Sequence, residues 1–267
     1  MKPLIRVEEL AGRLSDPRIK LFRVELKPVG SDQNSAEPMK LIPGSGVIDL
    51  DSWSDPNSKL PHTMISPEVF QDLARGLGID PEDELVLYDE AGVYGSPRVR
   101  YMFLSMGHRQ VRVLDGGLSS WIESGGAITS EIRVPHRAGD FVSNPVAGAF
   151  WNQEQVRSAI ADHQIQLFDA RSSDRFHGRV EEPRSGLRRG HLPTAHSVPF
   201  SLCLVDGRMK SPEELKAIFS GFPEKHPWVF YCGSGVTACI AALAAEVAGY
   251  RNLGIYDGSW SEWGQIP

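Results

Sequence analysis

One cysteine stands between an apolar run and a glycine-bearing turn in "WVFYCGSGVTACIAALAAE", where Cys232 is followed by Gly233, Ser234 and Gly235. The stretch reads as a buried strand, a tight loop and the start of a helix. Ligands of open parallel sheets sit at the carboxyl ends of the strands, so Cys232 occupies a position where a reacting group would be useful. The glycines allow the loop backbone to curl with its N–H groups turned inward, and the helix start behind it adds partial positive charge. An anion is expected at the centre of such a loop, bounded by Gly233, Gly235, Val236 and Thr237. The simplest one is the sulfur of Cys232, because oriented amides and a helix N-terminus lower a thiol pKa and the thiolate is the reactive form. A persulfide on that sulfur would be held by the same amides. Thr237 is expected to hold the loop or to cap the helix with its hydroxyl, and Gly235 to need a backbone conformation that alanine resists.

A cysteine ending an apolar strand is ordinarily a small packed hydrophobe; the glycines that follow it turn the reading. Cys239 lies inside the helical pattern and is expected to pack, and Cys203 is given no role. Phosphoryl transfer is disfavoured, because the arginine that would clamp a phosphoryl group six positions after the nucleophile is replaced by Ala238. A thioredoxin-like role lacks the second cysteine of a CxxC pair. No metal site is expected, since His191 and His196 have no cysteine or carboxylate partners at ligand spacing.

The elements that would position the loop recur within the chain. "LVLYDEAGVYGSPRVRYMFLSMGHRQVRVLDGGLSSW" from Leu85 parallels "WVFYCGSGVTACIAALAAEVAGYRNLGIYDGSWSEW" from Trp228, with Asp89 opposite Cys232. Trp121 follows Asp89 by 32 positions and Trp263 follows Cys232 by 31. Upstream, "IKLFRVE" parallels "IQLFDAR" and "LIPGSGVIDL" parallels "HLPTAHSVPF". Each copy opens with an amphipathic helix ("RVEELAGRLSD", "NQEQVRSAIADH") and then alternates strands with helices, which predicts α/β domains with mostly parallel sheets flanked by helices. The expected organisation is one domain over 1–130, a linker over 131–147 broken by Pro135, Gly139 and Pro145, and a second domain over 148–267.

A chain of 267 residues suits two such domains, and its net charge of −6 argues against nucleic acid or an anionic membrane as the main partner. Three cysteines without framework spacing fit a reducing compartment, the cytoplasm, and the N-terminus lacks the pattern of a signal peptide. No run is long and apolar enough to span a bilayer.

Over nearly its whole length the sequence resembles the tandem rhodanese-type sulfurtransferases, and within them the branch that uses 3-mercaptopyruvate. The resemblance is carried by "CGSGVTA", "YDGSWSEWG", "GHLPTAHSVPF", "DARSSDRFHGRVEEPRSG", "DLDSWSDPNSKLPHTM" and "LDGGLSSW". It implies two rhodanese-like domains, the second catalytic and the first inactive, in keeping with Asp89 where a nucleophile would stand. The family's substrate arginines fall on Arg175 and Arg184, which would grip the carboxylate and carbonyl oxygen of a 2-oxo acid. Its Asp-His-Ser relay falls on Asp51, His62 and Ser234, which would place the site between the domains. Thiosulfate-preferring members usually carry basic residues in the loop, so Gly233 and Ser234 favour 3-mercaptopyruvate as donor. The resemblance further implies no cofactor and a thiol acceptor, thioredoxin or a small thiol, or cyanide. Thiosulfate as donor, or a non-catalytic binding module, are the alternatives.

Overall fold

The computed structural model describes residues 1–26 and 38–266. The chain divides into two units, one of residues 1–54, 65–145 and 206–208, the other of 55–64, 146–205 and 209–267. The stretch 55–64, drawn from the N-terminal half, therefore packs as part of the second unit.

Each unit is built on a five-stranded sheet. Across the first, the strands run Leu4–Ile5, Val111–Leu114, Glu84–Tyr88, Ile19–Glu25 and Ser45–Asp49. Across the second they run Phe150–Trp151, Leu253–Tyr256, Trp228–Tyr231, Gln166–Asp169 and His196–Ser197. All these pairings are parallel. The two orders coincide when the internal repeat is superposed, down to single bonds: Ile42 N–H donates to Tyr88 Oη at 3.0 Å, and Leu192 N–H donates to Tyr231 Oη at 3.1 Å.

The middle strand of each sheet, Glu84–Tyr88 or Trp228–Tyr231, is buried along its whole length. A strand covered on both faces cannot alternate polar and apolar residues, which is why both read as apolar runs, Leu85–Tyr88 after the ion-paired Glu84 in the first and Trp228–Tyr231 in the second. Helix Ser96–Ser105 packs on the first middle strand and helix Ala238–Val247 on the second. Residues Ala238 to Ala245 are all buried, and their mostly small side chains let that helix lie close to the sheet. Its neighbour Pro212–Phe219 starts with a capping box between Ser211 and Glu214 and proline in its first turn. Helix Gln153–Ala161 likewise has a capping box between Asn152 and Gln155. The opening helix is shorter than its pattern predicts, Val7–Ala11, closing at Gly12, a residue that disfavours a further helical turn. Among the described residues no helix is long and apolar enough to cross a membrane.

Candidate active site

Cys232 directly follows the last residue of the middle strand of the second unit and is 2% exposed. The short helix Ser259–Trp263 grips its backbone. Cys232 N–H donates to Ser259 Oγ at 3.2 Å, and the Cys232 carbonyl accepts from Trp260 N–H at 3.0 Å. The next carbonyl, that of Gly233, accepts from Ser261 N–H at 2.9 Å and from the Ser261 hydroxyl at 2.7 Å. A trans peptide points its N–H opposite its carbonyl, and no peptide bond described is cis. Pinning these two carbonyls therefore turns the N–H groups of Gly233 and Ser234 away from that helix. Gly235 then reverses the chain at φ 75°, a left-handed conformation that a Cβ disfavours.

The first unit contains the same loop with a carboxyl group already in it. Leu118 and Ser119 N–H groups pin the carbonyls of Asp89 and Glu90, and Gly92 turns at φ 73°. The Asp89 carboxylate accepts from the N–H groups of Tyr94 at 2.8 Å, Gly95 at 2.7 Å and Ser96 at 3.0 Å, and from the Ser96 hydroxyl. Burial pushes the Asp89 carboxyl above the usual range, and those hydrogen bonds act against that shift. This backbone path is thus a cradle for an acceptor side chain at the strand end.

In the second unit the cradle is narrower than the sequence suggests. The counterparts of the three donating amides belong to Thr237, Ala238 and Cys239, and Cys239 N–H is taken by the Val236 carbonyl at 3.0 Å. Thr237 already has helical backbone, φ −70°, and its side chain makes no cap, so the capping role expected for it is not met. A hydroxyl caps best from an extended residue. Cys239 packs as expected, fully buried, with its thiol donating to the Gly235 carbonyl at 3.2 Å. Cys203 is buried too, and burial pushes its thiol up to about 12.

Two arginines reach the loop mouth. A Cβ added at Gly233 would lie 3.3 Å from Arg175 Nη2 and 3.6 Å from Arg184 Nη1. Arg175 is oriented by Glu182, which accepts from its Nε at 3.2 Å and from its Nη2 at 2.5 Å. With the Nε edge held in that way, the outer pair of nitrogens is presented to Gly233. Glu182 is itself fixed from below by Arg171, whose Nη1 donates to it at 2.8 Å. Arg171 and Asp169 form a fully buried pair. Burial works against the charge of Arg171, but the adjoining Asp169 carboxylate outweighs it and holds the guanidinium above its ordinary value. A paired, hydrogen-bonded arrangement is what burying such charges requires. The mouth so formed suits a planar carboxylate, which guanidinium groups bind in a bidentate manner.

His62 lies on the stretch 55–64 of the second unit, and its Nδ1 is 2.9 Å from Ser234 Oγ. With Nδ1 as the unprotonated nitrogen, the serine hydroxyl donates to it. Ser234 is 7% exposed and His62 half-buried at φ 60°. Asp51 belongs to the first unit, where it is exposed and its N–H donates to Asp49 Oδ1 at 3.1 Å. The second unit therefore brings together Cys232, Ser234, His62, Arg175 and Arg184. Sequence reading missed Glu182, Ser259 and Ser261. For Ser259 a signal existed, since the repeat places Gly117 opposite it, at φ 62° against φ 50° for the serine. A serine held in a glycine conformation marks a position with a task. No group of three or more histidine, cysteine, aspartate or glutamate side chains able to hold a metal ion occurs among the described residues.

The rhodanese-like domain family matches residues 34–124 and 152–266. A 3-mercaptopyruvate sulfurtransferase of Escherichia coli (strain K12) is 35% identical over 260 residues, covering 96% of this chain and 92% of its own. A thiosulfate sulfurtransferase of Rattus norvegicus is 38% identical over 228 residues, covering 83% and 76%. The crystal structure of SseA from Escherichia coli, described with the catalytic mechanism of 3-mercaptopyruvate sulfotransferases, superposes with a TM-score of 0.87 at 32% identity. It covers 98% of this chain and 100% of its own.

Proposed function

The chain belongs to the rhodanese-like domain family, and from that premise we propose that it is a sulfurtransferase that takes sulfur from 3-mercaptopyruvate onto Cys232 and passes it to a thiol or to cyanide. The observation that carries this reading is the meeting of Arg175 and Arg184 at Gly233, next to the cysteine. Two guanidiniums beside a sulfur nucleophile suit a donor that carries a carboxylate and a carbonyl next to its own sulfur.

In the first half-reaction the Cys232 thiolate attacks the sulfur of the donor. The new S–S bond forms as the donor's C–S bond breaks, and the electron pair of that bond leaves on the three-carbon fragment as pyruvate enolate. Ser234 and His62 move the proton that the donor thiol gives up and the enolate carbon takes. In the second half-reaction an acceptor thiolate attacks the outer sulfur of the persulfide and restores the Cys232 thiolate. Two displacements replace one difficult transfer. The acceptor is a small thiol or a thioredoxin-type protein, and the cytoplasm suits three cysteines that are all in the free form.

The test is steady-state turnover with each donor in turn, cyanide as acceptor, following pyruvate and thiocyanate. Higher kcat/KM with 3-mercaptopyruvate is expected. Arg175→Ala and Arg184→Ala should each lower that kcat/KM by about 10²-fold, the size of losing one charge-assisted contact. Preference for thiosulfate, or arginine variants that match the native enzyme, would contradict the reading.

A further inference from the structure

The segment Asp257-Gly258-Ser259 follows the strand next to the Cys232 strand, and it touches both halves of the site. At one end, Ser259 Oγ accepts the N–H of Cys232 at 3.2 Å and donates to the Tyr256 carbonyl at 2.8 Å. At the other, Asp257 Oδ2 accepts the N–H of Met64 at 2.9 Å. Met64 lies two residues after His62, at the edge of the stretch that the N-terminal half contributes to the second unit. Asp257 is anchored in turn, its own N–H donating to the Trp151 carbonyl at 3.0 Å.

His62 itself has positive φ, a backbone state that an ordinary residue holds only where its surroundings impose it. One restraint is local: Asp55 N–H donates to the Thr63 carbonyl at 3.0 Å and closes the stretch on itself. That bond shapes the loop but does not tie it to the sheet. Met64 N–H to Asp257 does so, immediately beyond the histidine, and a charge-assisted bond to a carboxylate is a strong one of its kind.

We infer that Asp257 is a positioning residue: its carboxylate holds the 55–64 stretch so that His62 Nδ1 stays within hydrogen-bond reach of Ser234, while Ser259 on the same turn fixes the backbone of Cys232. One turn thus sets the distance between the sulfur nucleophile and its proton relay. The inference rests on the sulfurtransferase reading for its kinetic consequence, but not for its structural one. The first unit also carries an aspartate at this point of the repeat, Asp115, so the test needs readouts that a fold-supporting carboxylate would not move.

The experiment compares Asp257→Ala and Asp257→Asn with the native protein and with His62→Ala, alone and combined. Asparagine keeps an oxygen that can accept the Met64 N–H, so it serves as the conservative rescue and guards against simple misfolding of the alanine variant. Expected for Asp257→Ala is a fall of about 10-fold or more in kcat with 3-mercaptopyruvate and little change in KM, as for a proton-transfer defect. In the His62→Ala background the same substitution should have almost no further effect, because coupled residues do not add. The His62 ring resonances, assigned by their loss in His62→Ala, should shift in Asp257→Ala and return towards native in Asp257→Asn. Full additivity with His62→Ala, or His62 resonances unchanged in Asp257→Ala, would overturn the positioning role. The resonance measurement decides this even if the native protein fails to use 3-mercaptopyruvate, which would refute the donor reading alone.

Discussion

Cys232→Ser is expected to stop sulfur transfer, lowering kcat for pyruvate release by at least about 10³-fold, the scale reached when a covalent nucleophile is removed. The hydroxyl of serine is close in size to the thiol but is not ionised near neutrality, and it forms no stable bond to a sulfane sulfur. The substitution leaves the supports of the loop in place, because Ser259 Oγ and Trp260 N–H bind the backbone of position 232 and not its side chain. The variant should therefore unfold at nearly the native temperature and retain affinity for an unreactive 2-oxo acid. Steady-state pyruvate formation, with a thermal melt alongside, checks this. Turnover within a few-fold of native in a folded variant would remove Cys232 from the chemistry.

The second large effect falls in the other unit and concerns stability. Asp89→Ala deletes the acceptor of the buried Gly95 and Ser96 N–H groups and Ser96 hydroxyl, and of the part-buried Tyr94 N–H. A buried donor left unsatisfied costs on the order of 1–3 kcal/mol, so a loss of about 3 kcal/mol is expected even where loop relaxation or water recovers part of it. Asp89→Asn should cost less, since its carbonyl oxygen still accepts while its amide nitrogen faces donors. Urea unfolding followed by far-ultraviolet circular dichroism measures both. An alanine variant as stable as the native protein would show that the loop does not depend on a hydrogen-bond-accepting side chain at the strand end, and would weaken the same inference for Cys232.

Much of this architecture is visible in the sequence because the decisive signals are local. Two buried middle strands read as "LVLY" and "WVFY", glycines mark the turns after Asp89 and Cys232, and the repeat aligns Asp-Gly with Asp-Gly up to Trp121 and Trp263. The loop follows from those signals, and Gly235 has the positive φ that its position called for. Arg175 and Arg184 are legible only through resemblance, since nothing in their spacing says that both guanidiniums converge on Gly233. Two-residue strands such as Leu4–Ile5 and Phe150–Trp151 carry too few residues for a periodic pattern. Glu182, Ser259 and Asp257 escape for a different reason. Each acts through a side chain aimed at a group far away along the chain or around a buried turn, such as Asp257 at Met64. Side-chain direction at that range is decided by packing and leaves no periodic trace. The allegiance of 55–64 to the second unit is non-local in the same sense.

The most direct test is mass spectrometry of the intact protein and of its peptides, taken after brief exposure to 3-mercaptopyruvate with no acceptor present. The account predicts a gain equal to one sulfur atom, located on the peptide bearing Cys232, absent from the one bearing Cys203, and lost again when cyanide is added. A protein that releases pyruvate while Cys232 gains no sulfur, or that carries the added sulfur on another cysteine, would contradict it.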